Sequence, residues 1–304
     1  MNDTIYDSII VGTGPAGISA SLYLARAGHS VLALGSAEGA LARAEAIENY
    51  FGFPEPVTGS ELVERGLAQA RRLGVEIRRE EVVHVGMEEF FVVKAVAVEA
   101  SAEAAGSAVR EYRAKTLLLA TGKSRVGLKA DGFEEFRGKG ISFCATCDGF
   151  LYRGKRLAII GSGEYAANER EELLAFSRDV TAYTDGKPVV GRTFSSDALI
   201  VESPIVRFEG TERVEAIVTA DGARHPVDGV FVAVGTAGAA SFAATVGIAM
   251  NGQDIAVDTD FMTNVPGLFA AGDCVGGFLQ IAKAVSDGAH ASKGMNTYLK
   301  TIKK

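Results

Sequence analysis

The fold of this chain is decided by Tyr6-Asp7-Ser8-Ile9-Ile10-Val11-Gly12-Thr13-Gly14-Pro15-Ala16-Gly17. The first half of this stretch has the apolar pattern of a strand, and the second half is a GxGxxG turn. An Ala- and Leu-rich helix pattern continues to about Gly28, and Ser30–Leu34 is predicted to be a second strand. Glycines at these positions permit a tight turn and a close approach of the backbone to a pyrophosphate at the helix N-terminus. The order of strand, glycine turn, helix and strand therefore predicts a dinucleotide-binding unit, with a plain glycine-rich turn as the alternative.

The composition narrows the class of protein. The chain has 304 residues, of which 47% are apolar and 23% charged, as expected for a soluble globular protein of about two domains. A net charge of −7 argues against a general nucleic-acid binder. No apolar run approaches the roughly 20 residues of a membrane span, and no secretory signal pattern precedes the first strand. We therefore expect a cytoplasmic location, where a close cysteine pair is more often catalytic or metal-binding than a permanent disulfide.

The glycine pattern occurs a second time. Lys155–Ile160 is predicted to be a strand, and it leads into Gly161-Ser162-Gly163-Glu164-Tyr165-Ala166. A helix over 165–176 and a strand over 179–183 follow. An internal repeat of this kind predicts two nucleotide-shaped domains in one chain. The remaining predicted elements are helices at 60–73 and 279–299 and strands at 75–79, 90–98, 109–113, 116–119, 198–201, 214–219, 229–234 and 267–271.

Two cysteines lie just before the second glycine turn, in Cys144-Ala145-Thr146-Cys147-Asp148-Gly149. A separation of two residues lets the sulfurs come within disulfide distance and lets one thiol acquire a lowered pKa. Zinc half-sites use the same spacing, but zinc needs four ligands, and the chain offers only Cys274 and four scattered histidines besides. A redox-active pair is the favoured interpretation, with a zinc site and an inert structural pair as alternatives.

Taken together, these motifs resemble those of the low-molecular-weight thioredoxin reductases, a family of flavin disulfide reductases. The resemblance covers essentially the whole chain and is carried by five segments: Gly12–Gly17, Thr58–Leu62, Ala120–Gly122, Cys144–Gly149 and Gly272-Asp273. It implies an α/β fold with two Rossmann-like domains of the three-layer ββα type, the second inserted in the first. Residues 1–121 and 241–304 would form an FAD-binding domain, and 122–240 a pyridine-nucleotide-like domain carrying the CxxC pair. The resemblance also implies a homodimer that reduces thioredoxin.

The resemblance assigns roles to individual residues. Cys147 would face the flavin, Cys144 would be the interchange thiol that attacks thioredoxin, and Asp148 would handle the proton, although an N-cap or turn role is an alternative for Asp148. No metal ligand is expected, and Cys274 is interpreted as a buried packing residue. The candidate FAD-binding residues are Gly12, Gly14, Pro15, Ala16, Gly17, Asn49, Ala120, Thr121, Gly122, Gly272, Asp273, Gln280 and Ile281; for Asn49, a turn-forming role is nearly as well supported.

The second domain departs from the NADPH-dependent members of the family. Those members carry a His-Arg-Arg stretch that binds the 2′-phosphate, and the corresponding residues here are Thr184-Asp185-Gly186. Glu164 and Tyr165 occupy the turn that a pyrophosphate would approach. Leu279 also replaces the arginine that precedes the terminal helix. Either Asp185 binds a ribose 2′-hydroxyl and selects NADH, or the nucleotide pocket is vestigial, as in the ferredoxin-dependent flavin thioredoxin reductases.

The favoured hypothesis is an FAD-dependent disulfide reductase that acts on thioredoxin and takes electrons from ferredoxin rather than NADPH. The first alternative is an NADH- or NADPH-dependent thioredoxin reductase. A second alternative is a flavin dithiol oxidase that passes electrons to oxygen. A non-catalytic flavoprotein, in which Cys144 and Cys147 report thiol status, is an alternative of another class.

Overall fold

The computed structural model describes residues 4–35, 39, 41–98, 109–122, 128–143, 145–189, 194–234, 239–252 and 254–302, and at 43, 146, 147, 239–241 and 244 it describes the backbone alone. Cys144 and the side chain of Cys147 therefore lie outside the described part. Contacts divide the chain into two units. The first contains the described residues of Met1–Val98, Val109–Lys123 and Gly238–Lys304, and the second contains those of Ser124–Ala237.

The strands are β1 Ile5–Val11, β2 Val31–Leu34, β3 Glu76–Arg78, β4 Glu80–Met87, β5 Phe91–Ala97, β6 Arg110–Leu119, β7 Ile141–Ser142, β8 Leu157–Ile160, β9 Val180–Tyr183, β10 Ile200–Val201, β11 Ile205–Gly210, β12 Val214–Thr219, β13 Arg224–Pro226, β14 Gly229–Val232, β15 Met250–Asn251, β16 Asp254–Ile255 and β17 Leu268–Ala270. The α-helices are α1 Pro15–Arg26, α2 Gly59–Arg72, α3 Ala145–Asp148, α4 Glu164–Leu174, α5 Ala239–Val246 and α6 Ile281–Ile302. None of the helices in the described ranges is both long and apolar enough to cross a membrane.

The first unit is built on a sheet in which β6 is the central strand. The order is β3-β2-β1-β6-β5-β4. β6 pairs in parallel with β1 from Arg113 to Leu119, while its first half pairs with antiparallel β5 and its last residues pair in parallel with β17. The predicted separate strands 109–113 and 116–119 are thus one strand, because Ala114 and Lys115 continue the ladder rather than forming a turn. β4 was not predicted, since Glu80, Glu81 and His84 interrupt its apolar pattern.

Helices of the first unit follow from local signals in the sequence. Pro15 lies at the first position of α1, where its missing N–H is not needed. Thr58 caps α2 by accepting a hydrogen bond from the Glu61 amide at 3.2 Å, and α2 buries Val63, Leu67 and Ala70 as its period predicts. α1 packs against both α2 and α6, and together with the apolar residues of the sheet they form one core. α5 was not predicted from the sequence.

The second unit contains a parallel sheet of five strands in the order β10-β9-β8-β14-β7 and an antiparallel sheet of three strands, β11-β12-β13. The parallel strand β8 is completely buried, as expected when both faces of a sheet are covered. β8, the glycine turn, α4 and β9 follow one another as predicted. The strands β7, β11 and β13 were not predicted. β7 and β13 are too short to show an alternating pattern, and charged residues interrupt the pattern of β11.

Candidate functional site

The first glycine turn is packed so closely at Gly12 and Gly17 that neither position has room for a side chain. Gly12 has φ +115°, and a Cβ there would lie 2.2 Å from the carbonyl oxygen of Ala120. A Cβ on Gly17 would lie 1.9 Å from the carbonyl oxygen of Gly12, whereas a Cβ on Gly14 would meet nothing within 4 Å. The first turn of α1 contains no acidic side chain. The turn therefore leaves an open, uncharged approach to the N-terminus of α1, which suits a pyrophosphate.

Other predicted cofactor-binding segments meet this turn at the carboxyl edge of the parallel strands. Ala120–Gly122 follows β6, and the Ala120 amide donates to the Val11 carbonyl oxygen at 2.8 Å. Gly272 follows β17, and a Cβ placed on it would lie 2.9 Å from the Cβ of Ala16. The structure thus brings together three segments that are far apart in the sequence.

A hydrogen bond joins Asn49 and Gln280, two further residues that were predicted to bind FAD. The Asn49 side-chain amide donates to Oε1 of Gln280 at 3.2 Å, across 231 positions of sequence. Gln280 immediately precedes Ile281, the first residue of α6. This hydrogen bond gives Asn49 a long-range contact, which a simple turn-forming role does not require.

Lys283 and Asp287 hold the Gly272 turn in place. The two side chains form an ion pair of 2.7 Å, and both are mostly buried. Nζ of Lys283 donates to the carbonyl oxygen of Gly272 at 3.0 Å, and the Gly272 amide donates to Asp287 at 3.1 Å. The sequence analysis missed this pair; its signal is a lysine and an aspartate four residues apart in the helix after the glycine turn.

One buried polar atom of this region has no partner. Thr121 Oγ1 is buried and makes no hydrogen bond within the described part of the chain. Buried hydroxyls are normally hydrogen-bonded, so an unpaired one beside a glycine turn fits a polar ligand. Together with the open space at Gly14, it makes this edge of the sheet compatible with FAD.

Nearby Cys274 is buried, and burial raises the pKa of its thiol to about 12, which leaves it unreactive.

The first glycine of the second turn is packed as closely as that of the first turn, but the side chains of the two turns differ. Gly161 has φ +153°, and a Cβ there would lie 2.2 Å from the carbonyl oxygen of Ala233. Glu164 is an acidic residue in the first turn of α4, where a pyrophosphate would be repelled. Tyr165 is buried, and its hydroxyl donates to the carbonyl oxygen of Phe143 at 3.3 Å.

The loop after β9 uses its carboxylate within the protein. Asp185 adopts φ +53°, and its Oδ1 accepts a hydrogen bond from the Ile205 amide at 2.9 Å. One oxygen of Asp185 is therefore engaged in joining this loop to β11. Residues 190–193 lie outside the described residues.

The described part of the CxxC segment forms the short helix α3, whose backbone includes Cys147. Asp148, at its last position, accepts a hydrogen bond from the Ser142 hydroxyl at 2.6 Å. At the other end, Oε2 of Glu169 accepts a hydrogen bond from the Ala145 amide at 2.8 Å. Burial raises the pKa of Glu169 from 4.5 to about 7, against the opposing effect of the Ala145 hydrogen bond. Ser142 and Glu169 were missed by the sequence analysis, because neither lies in a recognisable motif.

A family model described as pyridine nucleotide-disulphide oxidoreductase matches residues 6–288. The chain belongs to this family. A thioredoxin reductase from Listeria innocua is 31% identical over 319 residues, covering 99% of this chain and 96% of the relative. The crystal structure of the atypical thioredoxin reductase TRi from Desulfovibrio vulgaris Hildenborough is similar with a TM-score of 0.87 and 39% identity, covering 98% of this chain and 99% of that one. A ferredoxin-flavin thioredoxin reductase from Clostridium acetobutylicum has a TM-score of 0.73 and 29% identity, covering 97% and 98% of the two chains.

Membership in the pyridine nucleotide-disulphide oxidoreductase family confirms several expectations from the sequence. The predicted α/β fold with Rossmann-like parallel-sheet units is the one found in the thioredoxin reductase structures. The chain is a thioredoxin-disulfide reductase, and its cofactor is FAD.

Proposed function

We propose that this thioredoxin reductase receives electrons from ferredoxin or a similar one-electron carrier and passes them through FAD and the Cys144/Cys147 pair to thioredoxin. The observation that carries the choice of donor is the second glycine turn. It keeps the backbone of a nucleotide site but carries Glu164 and a buried Tyr165. The 2′-phosphate position has Thr184-Asp185-Gly186 in place of arginines.

FAD would bind to the first unit, the FAD-binding domain of the sequence analysis. The Gly12–Gly17 turn would receive the pyrophosphate at the N-terminus of α1. Ala120–Gly122, Gly272-Asp273 and the Asn49–Gln280 pair with Ile281 would complete the site. When bound, FAD accepts electrons singly and delivers them in pairs.

The chain's own residues would carry out the exchange with thioredoxin. Cys144, as thiolate, attacks one sulfur of the thioredoxin disulfide, so that a mixed disulfide forms and the other thioredoxin thiolate leaves and takes a proton. Cys147, as thiolate, then attacks the Cys144 sulfur, so that the Cys144–Cys147 disulfide forms and the second thioredoxin thiolate leaves and takes a proton. Two electrons have passed from the dithiol to thioredoxin. Asp148 would move the protons, with its carboxylate oriented by the Ser142 hydroxyl.

Apolar side chains next to α3 support a protein as the electron acceptor. Phe150 is 55% exposed and Leu151 is 63% exposed, only two and three residues after Asp148. Large exposed apolar side chains beside a reactive group are typical of protein-binding surfaces. Thioredoxin is the acceptor that the relatives' names indicate.

Chemistry and energetics both support a ferredoxin-type donor. Glu164 and Asp185 add negative charge where NADPH would place phosphates, and Asp185 already accepts the Ile205 amide. Plant-type ferredoxins have potentials near −400 mV and thioredoxin near −270 mV, so transfer of two electrons is downhill by roughly 6 kcal/mol. The similarity to the Clostridium acetobutylicum ferredoxin-flavin enzyme is consistent with this donor.

The test compares donors without oxygen. Reduced ferredoxin, NADPH or NADH is added to the holoprotein, the visible flavin band is followed, and thioredoxin thiols are counted afterwards. We expect rapid bleaching with ferredoxin alone and thioredoxin reduction that is lost in Cys144→Ser. Rapid bleaching by NADPH would refute the donor assignment. Rapid bleaching by NADH that is lost in Asp185→Ala would establish the pyridine-nucleotide alternative.

The resemblance to thioredoxin reductases also leads us to propose a cytoplasmic homodimer. One chain has a mass of 31.8 kDa. Sedimentation of the holoprotein at the mass of two chains would support the dimer, and sedimentation at the mass of one chain would contradict it.

A further inference from the structure

Two side chains of α4 contact the backbone on either side of Cys144. The Tyr165 hydroxyl donates to the carbonyl oxygen of Phe143 at 3.3 Å, and Glu169 Oε2 accepts from the Ala145 amide at 2.8 Å. Phe143 and Ala145 are the residues immediately before and after Cys144 in the chain. Tyr165 and Glu169 are four residues apart and therefore share one face of the helix.

These contacts act on the two peptide groups that join Cys144 to its neighbours. Each peptide group is planar, so a hydrogen bond to one of its atoms restrains the whole group. The two hydrogen bonds thus hold the peptide groups on both sides of Cys144.

We propose that Tyr165 and Glu169 form a clamp that positions Cys144 for disulfide exchange, and that the Glu169 carboxylate opposes the thiolate charge of the pair. The clamp rests on the proposed redox role of Cys144 and Cys147. Through this clamp, α4 has a function that does not involve a nucleotide. A bulky tyrosine is unfavourable in a turn that binds pyrophosphate, but the hydroxyl of Tyr165 reaches the carbonyl oxygen of Phe143.

Burial makes the two contacts effective. Ala145 is completely buried and Tyr165 is 3% exposed, so water does not compete freely for these groups. Burial raises the pKa of Glu169 to about 7, and repulsion from Glu172 adds to that effect. α3, β8 and β9 pack against α4. Of their ionisable groups, α3 carries Asp148 and Cys147, β9 carries Tyr183, and β8 carries none.

Two conservative variants separate position from charge. Glu169→Gln keeps an oxygen that can accept from Ala145 but removes the negative charge, whereas Tyr165→Phe removes the hydroxyl and leaves the charge unchanged. Glu171→Gln, an exposed position on the same helix, is the matched control. Each holoprotein is reduced and alkylated with iodoacetamide from pH 5.5 to 9, and the modified Cys144 peptide is quantified by mass spectrometry. FAD content, thioredoxin kcat and thioredoxin KM are measured on the same samples.

The clamp predicts a different signature for each variant. Glu169→Gln lowers the pH of half-maximal Cys144 alkylation by about 0.5 to 1 unit, because a nearby negative charge raises a thiol pKa. Tyr165→Phe leaves this midpoint unchanged and lowers kcat about two- to fivefold, as expected for the loss of one hydrogen bond of about 1 kcal/mol. FAD content stays at the wild-type level in both, and the control matches the wild type.

The failure of the clamp and the failure of the proposed function are distinguishable. If Cys144→Ser abolishes thioredoxin turnover but both clamp variants match the wild type in midpoint and kcat, the clamp is refuted and the proposed function stands. If Cys144→Ser retains full turnover, the proposed function is refuted and the clamp with it.

Discussion

Replacement of Glu169 by glutamine should make the stability of the protein less dependent on pH. Burial raises the pKa of Glu169 from 4.5 to about 7. The folded protein therefore binds the proton more tightly than the unfolded chain does. The contribution of this group is fully present below pH 4.5 and is lost as the pH rises to about 7, where the buried carboxyl ionises.

The size of the loss follows from the size of the shift. A difference of 7 − 4.5, or about 2.5 pKa units at ~1.4 kcal/mol each, corresponds to about 3 kcal/mol above pH 7 as an upper limit. Glutamine has nearly the same shape and does not ionise. We therefore expect Glu169→Gln to be within about 0.5 kcal/mol of the wild type at pH 4.5 and more stable by up to about 3 kcal/mol at pH 8.

Urea unfolding of the holoprotein measures this difference. The chain has no tryptophan, so far-ultraviolet circular dichroism is the suitable signal, with flavin fluorescence reporting release of FAD. Glu171→Gln on the same helix is exposed and loses only a 3.7 Å ion pair with Arg170, so it should stay within about 0.5 kcal/mol of the wild type at both pH values. Equal stabilities of wild type and Glu169→Gln at pH 8 would refute the reasoning. A less stable Glu169→Gln would show that the Ala145 hydrogen bond to the ionised carboxylate outweighs the cost of burial.

Three further variants test the proposed sites. Gly12→Ala places a Cβ 2.2 Å from the Ala120 carbonyl oxygen, so purified protein should lose most of its FAD, measured as the flavin-to-protein absorbance ratio; retention of FAD would contradict the proposed site. Lys283→Met leaves Asp287 without its ion pair and should cost about 3 kcal/mol, seen as flavin release at lower temperature, and unchanged release would argue against its role. Phe150→Ala should raise the thioredoxin KM several-fold with kcat unchanged, whereas an unchanged KM would exclude Phe150 from the acceptor surface.

Local chemistry explains which parts of the site could be predicted from the sequence. The Gly12 turn and the CxxC pair need particular residue types at fixed short spacings, so they are visible without a structure. Glu169 and Lys283 are different, because each contacts a backbone group that the folded chain brings near. Ser142 donates to the side chain of Asp148, and no motif marks that contact. Glu169 accepts a hydrogen bond from the amide of Ala145, which lies 24 residues earlier in the sequence. Nothing in the local sequence of α4 indicates that partner.

The elements of the fold show the same division. β8 is a continuous apolar run and β1 ends in one, both strands pair with parallel neighbours, and their position and type were predicted. β4 has buried positions separated by partly exposed ones, and it carries charged residues inside the pattern. A charged residue such as Glu80 is unfavourable in a strand when only the sequence is considered. In the structure, buried Glu80 accepts hydrogen bonds from Arg110 and Tyr112 of β6, which are distant in the sequence. At Glu80, this tertiary polar contact outweighs the low strand propensity of glutamate.

The repeated glycine motif is weaker evidence for a second nucleotide site than its sequence suggests. A Cβ on Gly161 would collide with the Ala233 carbonyl oxygen, just as one on Gly12 would collide with that of Ala120. Each first glycine is thus required for packing the turn against the next strand, whether or not a nucleotide binds. The difference between the turns lies in the side chains, since α1 has no acidic residue in its first turn and α4 begins with Glu164. A Rossmann-like turn therefore needs its first glycine whether or not a nucleotide binds, and Tyr165 in the helix after the second turn contacts the redox segment through the Phe143 carbonyl oxygen.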